Sequence, residues 1–376
     1  MATLIDEDIL SLKEKVSRFA GEHIAPRRDL YTCEEFPFDI WQKMAEENLL
    51  GLGIPKEFGG CGKNLLSVTA AGEALAGSGY NMGLTLSWLI HQMMARLFIC
   101  GYGTKRQREL YLPPMARGEI TASFAVSEPE HGAHPKHLKT SAEKKGDCFV
   151  LNGEKAYLTN GPIADLFIVH AVTGIEAERK QFTAFLVPGD AQGLERTKPV
   201  QFPFLRPSPH GGIILNNCSV PSSSIIGKEG SAYEEMALPF RAKEDVLLMG
   251  PMAGAMAGQV GLLAKAVKKE KNGIDENCAS DLGELRMMVD TLRIMAYEAA
   301  GMLDSGTTHA ELLSLTLYFR KVSEEFQETF ASVKDRVSVM KNETLDFLTN
   351  DLVSILPIAR NIAAIKKRKL GESVLS

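Results

Sequence analysis

Positive charge is the first thing the 376-residue sequence lacks: 42 Lys and Arg stand against 47 Asp and Glu, a formal net charge of −5. That balance gives no electrostatic reason to expect nucleic acid as a partner. The basic run Lys366, Lys367, Arg368 and Lys369 is short and reads as a solvated, dipole-favoured helix end. Cysteine is sparse and widely spaced. Cys33, Cys61, Cys100, Cys148, Cys218 and Cys278 form no C-x-x-C pair, so neither a zinc knuckle nor a dithiol redox motif is indicated, and reduced thiols are expected. No G-x-G-x-x-G follows a strand-like run, which leaves a Rossmann nucleotide site unsupported. No apolar stretch reads as long enough to span a bilayer. Acidic Asp6, Glu7 and Asp8 precede any apolar run, unlike a secretory signal. The expectation is a cytoplasmic enzyme or enzyme subunit without a membrane span. Internal repeats and low-complexity linkers are missing as well.

What is present changes texture twice along the chain. Ile9, Leu12, Val16 and Phe19 recur at helical spacing behind the acidic cap, and Pro26 marks the end of that pattern. Further helices are predicted over 40–50, 68–76 and, as a buried one, 84–100. From about Thr121 to Gly230, short runs such as 148–151, 166–172 and 182–187 are punctuated by Gly, Pro and Asn, the pattern of a β domain. Asn152-Gly153 predicts a tight hairpin. From Tyr233 onward the pattern is helical again: a Gly-, Ala- and Met-rich helix over 246–267, an apolar stripe through Leu285, Val289, Leu292 and Ala296, then helices over 312–330 and 345–365. The methionines read as gap-filling core residues. Segregated helices, strands and helices argue for an α+β fold with an N-terminal all-α domain (1–120), a middle β-barrel or sandwich domain (121–230) and a C-terminal four-helix bundle (231–376).

Four local motifs fall in order. Ile54-Pro55-Lys56-Glu57-Phe58-Gly59-Gly60-Cys61-Gly62 is a glycine-rich turn. Phe124-Ala125-Val126-Ser127-Glu128-Pro129 leads to Gly132. Leu151-Asn152-Gly153-Glu154-Lys155-Ala156-Tyr157-Leu158-Thr159-Asn160-Gly161 follows, and Arg206-Pro207-Ser208-Pro209 with Gly212-Ile213 leads to Val220-Pro221 and Ile226-Gly227. Together they resemble the acyl-CoA dehydrogenase family from about residue 4 to residue 305. The resemblance implies FAD held between the β domain and the bundle. It implies that Phe124, Val126 and Ser127 hold the polar edge of the flavin ring, that Tyr157 lies against the ring, and that Thr159 approaches N5. Hydroxyls and backbone N–H groups suit a ring that accepts hydride, and an aromatic can stack on it. Gly132 and Ala133 match the family's loop against the acyl thioester, with Ala133 and His134 where the family has Ser and Asp.

The implied reaction removes a proton from the carbon α to a thioester while hydride leaves the β carbon, so a carboxylate base is needed. The family's usual site for it matches 354–361 here, which holds no carboxylate and contains Pro357. The family's paired-glycine segment is missing near 333–339, and its R-x-x-F-G motif is replaced by lysines near 265–273. Some family members carry the base on the first bundle helix, where Glu244 is the best candidate and Asp245 the second; a dipole-favoured carboxylate pair is the plain structural alternative. The cluster Glu128, Glu130, His131, His134 and His137 could suggest metal ligands, but a loop with Pro129 and Pro135 is a poor scaffold for them, and no metal is expected. Three functions remain open: an FAD-dependent acyl-CoA dehydrogenase using Glu244, a degenerate subunit paired with an active homologue, and another flavoenzyme on the same fold, such as an oxidase. An acyl-CoA substrate, electron-transfer flavoprotein or a similar acceptor, and homodimers, homotetramers or hetero-oligomers with a homologue are the implied partners. The small residues of 250–261 suit close helix approach, between subunits or within the chain.

Overall fold

The structure is a computed structural model that describes residues 5–269, 276–306, 309–336, 342–358 and 360–375. Six helices come first: α1 (Glu7–His23), α2 (Phe38–Glu46), α3 (Leu65–Gly79), α4 (Met82–Met93), the single turn α5 (Cys100–Tyr102) and α6 (Lys105–Ala116). Asp6 caps α1, its side chain accepting from Ile9 N at 2.8 Å. Between α4 and α5 the chain winds as one π-helical stretch, Met94–Ile99, so the expected buried helix over 84–100 is continuous but not uniform. The sequence pattern does not reveal α6, which opens on five polar residues and carries Pro113 and Pro114 in its last turn, before Met115 and Ala116. Its legible signal is the capping box of Thr104 and Gln107.

Eight strands follow: β1 (Ala122–Ala125), β2 (Ser141–Lys145), β3 (Cys148–Thr159), β4 (Leu166–Glu176), β5 (Arg179–Pro188), β6 (Leu194–Arg196), β7 (His210–Pro221) and β8 (Ile225–Ile226). They form one sheet in the order β6-β7-β3-β2-β4-β5-β8, with β1 parallel to β4. Along β4 the buried run 166–171 is apolar but for His170, because both faces are covered. Phe167, Val169 and Ala171 join the sheet's own core, while Leu166 and Ile168 join the core of the N-terminal helices. The expected hairpin at Asn152-Gly153 is not one. Both residues lie inside β3, where the pairing with β7 shifts register. Gly153 sits at φ +146°, and a Cβ there would fall 2.5 Å from Thr140 Oγ1, so glycine serves a close crossing of backbone. The tight turns fall instead at Gly146-Asp147 and at Ala177-Glu178, the latter with φ of +45° and +62°.

Five helices complete the chain: α7 (Leu238–Lys269), α8 (Glu276–Asp304), α9 (His309–Arg336), α10 (Glu343–Ile355) and α11 (Arg360–Leu375). The single helix expected over 345–365 is thus two. Pro357 lacks an amide proton and its ring blocks the preceding turn, so the chain bends through Leu356–Ile358. One sequence expectation needs correction. The helical stretch Tyr233–Lys268 is long and apolar enough to cross a membrane, with a window of mean hydropathy 1.6. Since 72% of that window is buried inside the protein, its apolar surface is consumed by the bundle core.

The small residues of α7 are spent within the chain, on α3. A Cβ on Gly250 would lie 2.4 Å from Thr69 O, and one on Gly254 would lie 2.0 Å from Glu73 O. Gly254→Ala should therefore lower the unfolding free energy by about 1–3 kcal/mol, outweighing a helix-propensity gain of about 1 kcal/mol. Urea denaturation reads this, and an unchanged midpoint would refute the close contact. The same junction holds a buried charge cluster. Glu73 accepts from Lys13 Nζ at 2.9 Å, Arg293 Nε at 2.5 Å and the Tyr297 hydroxyl. Burial pushes its carboxyl up, but Lys13 and Arg293 outweigh that and hold it below the usual range. Cys33, Cys61, Cys100, Cys148 and Cys218 are unpaired thiols.

Candidate active site

Two cavities meet where the sheet abuts α7. The smaller, of about 290 Å³, lies among Phe124, Val126, Ser127, Gly132, Ala133 and Tyr157 on the sheet side, with Tyr233, Phe240, Arg241 and Glu244 on the helical side. The larger, of about 410 Å³, runs from Thr159 and His210 into the helices, past Met249, Phe319 and the α10–α11 bend. Thr159, Arg241 and Glu244 belong to both.

Strand chemistry sets the sheet wall. Lys155, Tyr157 and Thr159 alternate and would share one face of a regular strand. A register shift between Lys155 and Leu158, with Tyr157 at φ +60°, breaks that rule. Lys155 turns fully inward, and Tyr157 is left 56% exposed with its ring beside the smaller cavity. Inside, Lys155 Nζ donates to Glu128 Oε1 at 2.9 Å and to Val126 O at 3.1 Å. Glu128 also accepts from Lys139 N at 2.7 Å and Thr140 N at 2.9 Å. Burial pulls the Lys155 ammonium down to about 8, against the opposing pull of Glu128. Glu128 is pushed up by burial, but Lys155 and the Thr140 and Lys139 contacts prevail and keep it below the usual carboxylate range. The pair is therefore ionised at neutral pH and pins the 126–128 segment to β3; Ala156 N donates to Ser127 O at 2.9 Å alongside. Glu128, raised above as part of a candidate metal cluster, is spent on this pair. His131, His134 and His137 lie ring against ring at 4.6 and 4.9 Å in the exposed loop beyond it.

Behind the cavity wall, Phe98, Phe124 and Phe240 pack with ring centroids 4.6 to 5.2 Å apart. Phe124 and Phe240 line the smaller cavity beside Glu244, which stays half-buried where the two cavities share their wall. Burial first and Asp245 second push the Glu244 carboxyl up to about 7, while Arg241 and Lys366 pull it down. Asp245 differs. It pairs with Lys366 Nζ at 2.5 Å and lines the larger cavity but not the smaller. The stretch matched to the family's usual base does wall the larger cavity, through Ile355, Leu356 and Ile358, and offers it apolar side chains. Ala359 lies outside the described residues, as do parts of the two other divergent segments, 270–273 and 337–339.

All eight residues singled out from sequence, Phe124, Val126, Ser127, Gly132, Ala133, Tyr157, Thr159 and Glu244, thus border one cavity. Sequence reasoning missed Arg241, Phe240 and His210. The first two lie on the turn before Glu244, a spacing that could have flagged them. His210 had no local signal.

The fold defines a helical–sheet–helical α+β protein with a partly open cavity at the sheet–helix junction. Residues 6–119 match the family model for the acyl-CoA dehydrogenase N-terminal domain, and residues 123–218 match that for the acyl-CoA dehydrogenase middle domain. The chain belongs to the acyl-CoA dehydrogenase family. It is 31% identical over 319 residues to the 3-(aryl)acrylate reductase of Clostridium sporogenes, covering 82% of this chain and 83% of that one. Among solved structures it is similar to the prolyl acyl carrier protein oxidase AnaB, with a TM-score of 0.85, 25% identity and coverage of 98% and 99%. The FAD complex of PigA shares the fold, with a TM-score of 0.85, 21% identity and coverage of 99% of each chain.

Proposed function

We propose that the chain is an FAD-dependent enzyme that removes the α proton and β hydride of an acyl thioester, with Glu244 as its base. One observation carries this reading: Glu244 is, among the described residues, the one carboxylate lining the smaller cavity, and it borders the larger as well. The site suits a flat ring. An exposed Tyr157 face, the hydroxyls of Ser127 and Thr159, and joined cavities of about 290 and 410 Å³ offer stacking, polar contacts and room. Phe124, Val126, Ser127, Tyr157 and Thr159 would hold the ring. When bound, the flavin supplies a hydride acceptor at N5. Gly132 and Ala133 hold the thioester end of the substrate. Glu244 takes the α proton, its basicity raised by its partial burial and by neighbouring Asp245. Electrons pass to an electron-transfer flavoprotein or a similar acceptor, and the working form is a homo-oligomer in the reducing cytoplasm.

A second reading is a degenerate subunit that completes its site with a homologue. It is favoured by the apolar Ile355–Ile358 stretch standing where a carboxylate would be expected. A third, an oxidase acting on a carrier-protein thioester, draws support from the likeness to AnaB.

Anaerobic titration of the FAD-loaded protein with a panel of acyl-CoA and carrier-protein thioesters decides among them. Bleaching of the flavin band by at least one thioester is the expected result. Colourless protein that takes up no FAD and co-purifies with a relative would establish the second reading in its place.

A further inference from the structure

We propose that His210 fixes the direction of the Thr159 hydroxyl and thereby makes the site favour the reduced over the oxidised flavin; it is a positioning residue that acts through Thr159. The inference rests on the flavin reading above. It starts from strand register. Thr159 and His210 stand directly opposite each other on antiparallel β3 and β7. Opposite residues in such a pair share a face of the sheet, and Thr159 Oγ1 lies 3.1 Å from His210 Nε2.

The other ring nitrogen settles which atom holds the proton. His210 Nδ1 lies 3.1 Å from Ser208 O. A carbonyl oxygen can only accept, so Nδ1 carries the hydrogen. Nε2 of the neutral ring is then an acceptor, and the Thr159 O–H donates to it. Burial pushes the imidazole below its ordinary value, against the pull of the Ser208 carbonyl, so the ring is neutral at physiological pH. The ring has little freedom to turn away. It is buried and meets Phe202 edge to face at 5.2 Å, and its own carbonyl accepts from Val200 N at 2.7 Å. The loop leading to it is tied to both helical regions, with Leu205 N donating to Asp351 Oδ1 at 2.7 Å and Arg206 Nη1 to Cys33 O at 3.1 Å.

The consequence for the cavities follows from counting hydrogens. With its proton committed to His210, the Thr159 oxygen has only lone pairs to offer a group in the cavities that Thr159 lines. A ring nitrogen that bears a proton can donate to it, and one that bears only a lone pair is repelled. Flavin N5 is of the second kind when oxidised and of the first when reduced. A free threonine would instead rotate and donate to the oxidised ring.

The test is the two-electron midpoint potential of the FAD-loaded protein, measured by equilibration with a reference dye. His210→Phe should cut the preference for the reduced flavin about tenfold, a fall of about 30 mV for a two-electron couple. His210→Gln, whose carbonyl oxygen still accepts the hydroxyl, should keep the wild-type potential. In a Thr159→Val background, His210→Phe should move nothing further. His210→Asn, too short to reach Thr159, serves where the Phe variant does not fold, and should fall like it. Equal shifts from His210→Phe with and without the Thr159 hydroxyl would overturn the proposal. So would an unmoved potential in the otherwise wild-type chain. FAD uptake with a potential indifferent to Thr159→Val would refute the placement of Thr159 and the role of His210 with it. No FAD uptake at all would refute the flavin reading itself.

Discussion

Glu244→Gln should slow flavin bleaching by a bleaching thioester about 10²–10⁴-fold, the usual contribution of a positioned general base. FAD binding should be retained. Gln keeps the shape and one acceptor but cannot take a proton. Wild-type kcat/KM should rise with pH through about 7 and level off above it, because the base works only when ionised and its carboxyl is held near 7 by burial and by Asp245. The variant should lose that limb. The same shift acts on stability with the opposite sign. The folded chain keeps a proton on Glu244 that the unfolded chain releases near the ordinary 4.5, so this stabilising contribution is full below about 4.5 and is lost as pH rises through about 7. Asp245→Asn should leave most of the rate, because Asp245 faces Lys366 and the larger cavity alone. Stopped-flow absorbance of the flavin band measures all three proteins. Bleaching of Glu244→Gln at the wild-type rate would remove Glu244 from the mechanism.

The largest expected effect on folding is at Lys155. Lys155→Met should destabilise the chain by about 3–5 kcal/mol, since it leaves Glu128 charged and buried without its ammonium partner. The amides of Lys139 and Thr140 still donate to that carboxylate, but they do not neutralise it. Adding Glu128→Gln should recover a large part of the loss, because a neutral side chain no longer needs the cation. The loss should also reach the site: Val126 O loses its donor, so the 126–128 segment loosens and FAD affinity falls. Denaturant unfolding of the two single variants and the double variant, with FAD titration alongside, gives the measurement. A Lys155→Met midpoint equal to wild type would mean that the pair contributes nothing.

Sequence by itself determined the order of helices, strands and helices, because the period of apolar residues changes from about 3.6 to 2 and back. It also pointed to the short segments that meet at the cavity, since Phe124, Val126, Ser127, Gly132, Ala133, Tyr157, Thr159 and Glu244 are legible from the motifs, and all eight border it. Elements whose signal is not periodic were misread or missed. Helix α6 begins polar and holds two prolines within it, Asn152-Gly153 looks like a turn but lies within a strand, and Pro357 divides a stretch whose pattern runs on unbroken.

Only the tertiary structure distinguishes the surroundings of Glu244 and Asp245, placing the first beside both cavities and the second beside the larger one and Lys366, because adjacent residues on a helix differ in what they face and not in their chemistry. Only it joined Lys155 to Glu128 across 27 positions and His210 to Thr159 across 51. Those pairings depend on strand register and on a bulge that turns one side chain inward, and register belongs to the assembled sheet, not to either segment alone.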